Sequence, residues 1–197
     1  MKNQINVRLF IIAILTFTIP SVISNAQQPA TNAAKPTAEE QKLIAAFNQH
    51  VKDYLKQRQS VAKKLPSLSK EATPEQITSY QDKFVAELRA MRAGTMQGYI
   101  FQPAFADYVR TTIKTEFPPS DKAEIKQTIL EADTKGVPLR VNYPYPETKE
   151  LAQIPPTLLL KLPQLPKEVK YRFVGRHMLL VDTDNGLIVD YMLNALP

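Results

Sequence analysis

Cysteine and tryptophan are absent from this chain of 197 residues, which also holds only five glycines and two histidines. Without cysteine there is no thiolate zinc site, no thiol nucleophile, no disulfide scaffold and no thioether lipid anchor. Few glycines leave little material for the tight backbone turns that cradle phosphates or raise a nucleophile. In keeping with that, no GxSxG elbow, P-loop, dinucleotide fingerprint or HExxH helix occurs. What is present is an ordinary globular mixture, 44% apolar and 22% charged, with an excess of proline at 16 residues. A chain of this size buries about two-thirds of its unfolded surface and needs no covalent staple.

The N-terminus reads as an address. Lys2 and Arg8 precede the apolar run from Leu9 to Ile19, and Pro20 breaks it before Ser24-Asn25-Ala26. The run is about eleven residues long, short of the roughly 20 that span a bilayer. Ser24 and Ala26 supply the small side chains a signal peptidase accepts, so residues 1–26 are expected to be a signal peptide cleaved after Ala26. An uncleaved anchor is the competing reading, weakened by Thr16, Thr18 and Pro20. Loss of Lys2 and Arg8 with the leader lowers the formal charge from +6 to +4. A charge of that size, spread along the chain and outside the cytoplasm, does not point to nucleic acid as a partner.

Residues 27–36 lack large apolar side chains and read as a disordered tether. Helical signals fill 37–136. Thr37 followed by Glu40, and Thr73 followed by Gln76, are capping boxes, the second with Pro74 at the first helical position. Behind the first box, Ile44, Phe47, Val51, Tyr54, Val61 and Leu65 form one stripe, with Arg58 as its single polar member. Behind the second, Ile77, Tyr80, Phe84, Leu88 and Met91 form the matching stripe, and the short connection predicts an antiparallel helical hairpin. A third helix starts at Pro103 and carries Phe105, Tyr108, Val109, Thr112 and Ile113 until Pro118-Pro119. A fourth, shorter one is expected from Ser120 to Gly136.

Seven of the 16 prolines fall in the connecting segment 137–167. Tyr143-Pro144-Tyr145-Pro146 reads as polyproline-like, and Pro155-Pro156 as the opening of a single helical turn whose Leu158, Leu159 and Leu160 pack on the body. From 168 to 197 the period becomes two. Val169, Tyr171 and Phe173 alternate with Lys170 and Arg172, a strand with one wet face. Gly175-Arg176 and Asp184-Asn185-Gly186 supply hairpin turns. The predicted fold is α+β: a helical hairpin, two further helices, a proline-rich wrap and a three-stranded antiparallel meander, with 37–197 as one cooperative domain.

Four groups invite a functional reading. Asp182, Asp184, Asn185 and Gly186 resemble the start of a calcium loop, but counted from Asp182 the glycine falls at five and Leu193 at twelve, whereas an EF-hand needs glycine at six and glutamate at twelve. A hairpin turn explains them better. His177, with Asp182, Asp184 and Asp190 nearby in sequence, lacks the three or four ligands a metal requires. His50 and Asp53 lie a turn apart on what reads as a solvated helix face. Lys52, Lys56, Arg58, Lys63 and Lys64, with Lys70, make a basic stretch that either docks an anionic partner or complements the helix dipole.

The series Val137-Pro-Leu-Arg-Val-Asn142, Tyr143-Pro-Tyr-Pro146, Ile154-Pro-Pro156, Leu162-Pro-Gln-Leu-Pro166, Tyr171-Arg-Phe-Val-Gly-Arg176, Leu187-Ile-Val-Asp190 and Asn194-Ala-Leu-Pro197 resembles a group of exported bacterial proteins without assigned activity. That resemblance covers roughly the last 60 residues and implies secretion and a shared architecture. The terminal hairpins, through Val174-Gly175, Asn185-Gly186 and Leu187-Ile188, are similar to those of periplasmic proteins of the nickel/cobalt-homeostasis type, which are richer in histidine. Together the expectation is a non-catalytic periplasmic or secreted module. It engages an envelope or secreted protein, with no cofactor, metal or catalytic residue and no stable membrane span after signal cleavage. A carrier for a small ligand or metal ion is the alternative, and a hydrolase stands behind that.

Overall fold

The computed structural model describes residues 36–116, 136–146, 149, 152–153 and 156–196. The predicted leader, most of the tether, the fourth helix and part of the proline-rich segment lie outside the described residues.

Both capping boxes form. The Thr37 hydroxyl accepts from the Glu40 amide while the Glu40 carboxylate accepts from the Thr37 amide, opening α1 (Ala38–Lys64); Thr73 and Gln76 do the same for α2 (Pro74–Met91). Reciprocal satisfaction of orphan amides fixes where each helix begins. α1 buries Phe47, Val51, Tyr54 and Val61, and α2 meets it with Phe84 and Leu88. The α2 stripe is narrower than its periodicity predicts: Ile77 and Met91, near its two ends, stay exposed. α3 (Pro103–Glu116) buries Phe105, Ala106, Val109 and Ile113.

The sheet has the order β1-β2-β3-β4, all antiparallel, with β1 (Ala152–Gln153), β2 (Val169–Val174), β3 (His177–Asp182) and β4 (Ile188–Met192). The predicted meander is β2 to β4, and the short β1 adds to its outer edge. Gly175, at φ 52°, takes the first place of the two-residue turn between the paired Val174 and His177, the left-handed position such a turn reserves for glycine. A bulge between Leu180 and Val181 shifts the register to β4.

One sheet face, with Tyr171, Phe173, Met178, Leu180, Val189 and Met192, packs on the helices. Phe47 stacks on Phe105 with centroids 4.2 Å apart, and Phe101 and Tyr171 close the same aromatic cluster. The other face is not left to water. Leu179, Val181, Ile188 and Val174 are covered by Tyr145, with Val137 and Leu139 beside it. The alternation expected for a wet face therefore holds in β2 but not in β3, whose last five residues are all buried.

The covering segment also closes the free side of β4. Asn142 N donates to Ile188 O, Ile188 N to Tyr143 O and Tyr145 N to Gly186 O, at 2.8–2.9 Å. In the predicted helical turn, Pro156–Leu159, only Leu158 packs inward as expected, while Leu159 is half exposed and Leu160 is 84% exposed. One turn of helix has a single inward side, so three consecutive leucines cannot all use it. The C-terminal residues are clamped: Arg110 donates to the carbonyls of Leu193 and Asn194, Arg176 to that of Leu196, and Asn194 N to His177 Nδ1. Among the described residues no helix is long and apolar enough to cross a membrane.

Candidate functional site

α2 ends at Arg92, whose side chain turns inward and is 1% exposed. Its Nε donates to Asn142 Oδ1 at 2.6 Å, one terminal nitrogen to Gln57 Oε1 at 3.0 Å, and the other to the Val189 carbonyl at 2.9 Å. The Tyr54 ring lies 4.9 Å from the guanidinium carbon. A buried cation is costly unless its donors are met, and here the fork is filled by neutral acceptors and an aromatic face. Burial pulls this guanidinium below the ordinary arginine value. Asn142 Nδ2 returns a bond to the Arg92 carbonyl at 2.9 Å, and φ of 64° places Asn142 in the left-handed region that asparagine tolerates.

Two buried carboxylates complete this interior. Asp190, in β4, accepts from the amides of Gly98, Ile100, Phe101 and Tyr191 at 2.6–2.8 Å, so one side chain nucleates the 98–101 loop between α2 and α3. Burial pushes its carboxyl above the usual range against the pull of those amides. Asp182 accepts from the Tyr54 hydroxyl at 2.6 Å and from Arg58 Nε at 2.9 Å, and the other end of that guanidinium pairs with Asp184. Burial, and then the Asp182 charge, push the Tyr54 phenol well above its ordinary value.

Above this layer is an open groove of about 950 Å³ between the end of α2, residues 95–97 and the 139–143 segment. Ala86, Ala90 and Ala93 line one wall, and Leu139, Val141 and Tyr143 the other. The guanidinium carbons of Arg89 and Arg140 each lie 3.9 Å from the centroid of the Tyr143 ring. That ring holds both cations through its π face. No carboxylate lines the groove, and neither arginine is in an ion pair among the described residues.

The sequence-predicted residues are distributed differently. Arg58 leaves the basic stretch to join Asp182 and Asp184, and Lys56 pairs with Asp53 at 3.1 Å. Lys52, Lys63 and Lys64 are exposed along α1. Asp182, Asp184, Asn185 and Gly186 form the second hairpin turn, with Asp184 N donating to Asp182 Oδ1 at 3.0 Å and Gly186 at φ 67°. His50 faces the Tyr99 ring edge-on, and its Nε2 lies 3.1 Å from Gln102 Nε2. His177 is held by the C-terminal segment as described above, and burial, with Arg176 beside it, lowers its imidazole below the ordinary value. Among the described residues no three His, Cys, Asp or Glu side chains gather as a metal site.

No family model, curated protein or solved structure matches this chain. The residues sequence reasoning missed are Arg89, Arg92, Arg140, Asn142 and Tyr143. Arg92 and Asn142 lie 50 positions apart and carry no local motif.

Proposed function

We propose that the protein is a non-catalytic exported module that works by binding an envelope or secreted component, and that the groove beside α2 is its recognition surface. The observation that carries this reading is a contrast within one molecule. Arg58, Arg92, Asp182 and Asp190 all have hydrogen-bond partners that hold the fold together, whereas Arg89 and Arg140 line an open groove with no ion pair among the described residues. Groups tied into structure are poorly placed for proton transfer or nucleophilic attack, which need a side chain free to meet a substrate. Unneutralised cations in a pinned cleft are suited to recognition. Export rests on the leader sequence of residues 1–26.

Site-specific photocrosslinking in the native envelope tests this. A photoreactive residue placed at Ala93 is expected to trap a partner, and one placed at Lys64 is not. Equal trapping at both positions, or at neither, overturns the groove as the recognition surface. Intact-mass measurement of the native product tests the location: Met1–Ala26 still attached on a cytosolic protein overturns export. A carrier for a small organic ligand is the second reading, favoured by the volume of the groove; it predicts a ligand that co-purifies and is displaced on unfolding.

A further inference from the structure

We propose that the groove takes an acidic peptide segment, with carboxylates held by Arg89 and Arg140; this rests on the binding-module reading above and names the partner chemistry at the same site. Two cations held on one tyrosine ring repel each other, whereas Arg58 pairs with Asp182 and Asp184, and Arg110 with Asp107. Among the described residues nothing supplies the counter-charge at Arg89 and Arg140, which leaves it for a bound partner to bring. Each guanidinium is planar and offers five donors, and stacking leaves its N–H edge free to donate bidentately to a carboxylate.

Stacking also orders two long side chains before anything binds, which removes part of the entropic cost of recognition. The walls themselves are fixed, because Arg92 at the end of α2 and Asn142 in the opposite segment bond each other in both directions. Three features favour a polypeptide over a free anion or an anionic glycan. The α2 wall is built of Ala86, Ala90 and Ala93, so a chain approaches closely. Leu139 and Val141 give the facing wall apolar character. Among the described residues, the amides of Leu139 and Val141 make no intramolecular hydrogen bond, leaving main-chain donors of the kind an incoming peptide pairs with.

The test is fluorescence polarisation with the folded mature protein and a labelled peptide that alternates glutamate and valine over eight residues, beside its glutamine counterpart and inorganic phosphate as competitor. The expected result is binding of the glutamate peptide that weakens at least tenfold with glutamine, with added salt, and in Arg89→Gln or Arg140→Gln. Lys63→Gln with Lys64→Gln removes two charges elsewhere and is expected to leave binding unchanged. Thermal melts of the arginine variants, whose side chains are at the surface, are expected to match the parent. Equal binding of both peptides overturns the proposal, as does equal loss in the lysine variant, which marks non-specific charge attraction. Full displacement by phosphate at peptide concentration overturns the peptide and assigns a small-oxyanion site. No binding by any probe, while Ala93 still crosslinks in the envelope, overturns the acidic ligand and leaves the recognition surface standing; loss of that crosslink overturns both.

Discussion

Arg92 and Asn142 hold each other twice, side chain to side chain at 2.6 Å and side chain back to main chain at 2.9 Å. This pair joins the end of α2 to the segment that covers both the far sheet face and the free side of β4. Neither bond is replaceable by water in so buried a place, so each unmade bond costs more than a formed one contributes.

Replacing Asn142 separates side chain from backbone. Asn142→Gly keeps the left-handed backbone accessible, strips Arg92 Nε of its acceptor and leaves the Arg92 carbonyl with Thr95 N as its remaining donor, a loss of about 1–3 kcal/mol. Asn142→Ala adds the cost of a β-carbon at positive φ, about 1 kcal/mol more. Urea unfolding of both variants measures the two contributions. Equal stability of the two would show that the loss lies in the bonds alone.

The Tyr54 hydroxyl donates to a carboxylate that is wholly buried. Tyr54→Phe is expected to lower stability by about 1.5–3 kcal/mol, the range for bonds to charged groups. Because Tyr54 and Arg58 share Asp182, the double variant Tyr54→Phe with Arg58→Met is expected to depart from the sum of the single losses. Strict additivity in chemical denaturation would contradict the shared acceptor.

Among the described residues, Asp190 is the only acceptor for the amides of Gly98, Ile100 and Phe101. Asparagine has the same shape but turns an –NH₂ towards amides that also donate. Asp190→Asn is expected to collapse hydrogen-exchange protection at Ile100 and Phe101 while protection in the middle of α1 falls far less. Uniform loss across the molecule would mean that the loop does not open as a separate unit.

His177 supplies the pH dependence. Its Nδ1 accepts from Asn194 N, which requires that nitrogen to be unprotonated. With the imidazole lowered in the folded state, the unfolded chain binds the proton more readily. The contribution to stability is present above the unfolded value and is lost as pH falls through the folded one. Between pH 7 and 5 the parent's Tm is expected to fall more steeply than that of His177→Gln. Parallel profiles would remove His177 from the acid response.

Much of this architecture is readable because its signals are local. Thr37 with Glu40 and Thr73 with Gln76 mark helix starts within four residues, and Gly175-Arg176 fixes a hairpin without reference to anything distant. Burial is less readable: periodicity says which side of α2 is apolar but not how much of that side is covered, and Ile77 and Met91 at the ends of its stripe stay exposed. The site was almost invisible. Arg58, the one polar residue in an apolar stripe, and Asp190, an acid inside an apolar strand, were the only hints that ionic groups lie inside. The Arg89–Tyr143–Arg140 stack depends on a chain path that brings together residues from two unrelated segments, and no spacing encodes it.

The bonds from residues 142–145 to β4 bear on behaviour at high concentration. A last strand with bare amides is a template on which further copies add, the route by which sheet proteins grow into ribbons. Roofed by its own chain at Ile188 and with Arg92 occupying the Val189 carbonyl, the first half of this strand has its outward groups taken. Crowding many molecules together therefore does not extend the sheet from that half, and a variant that frees the roof would be the one to precipitate.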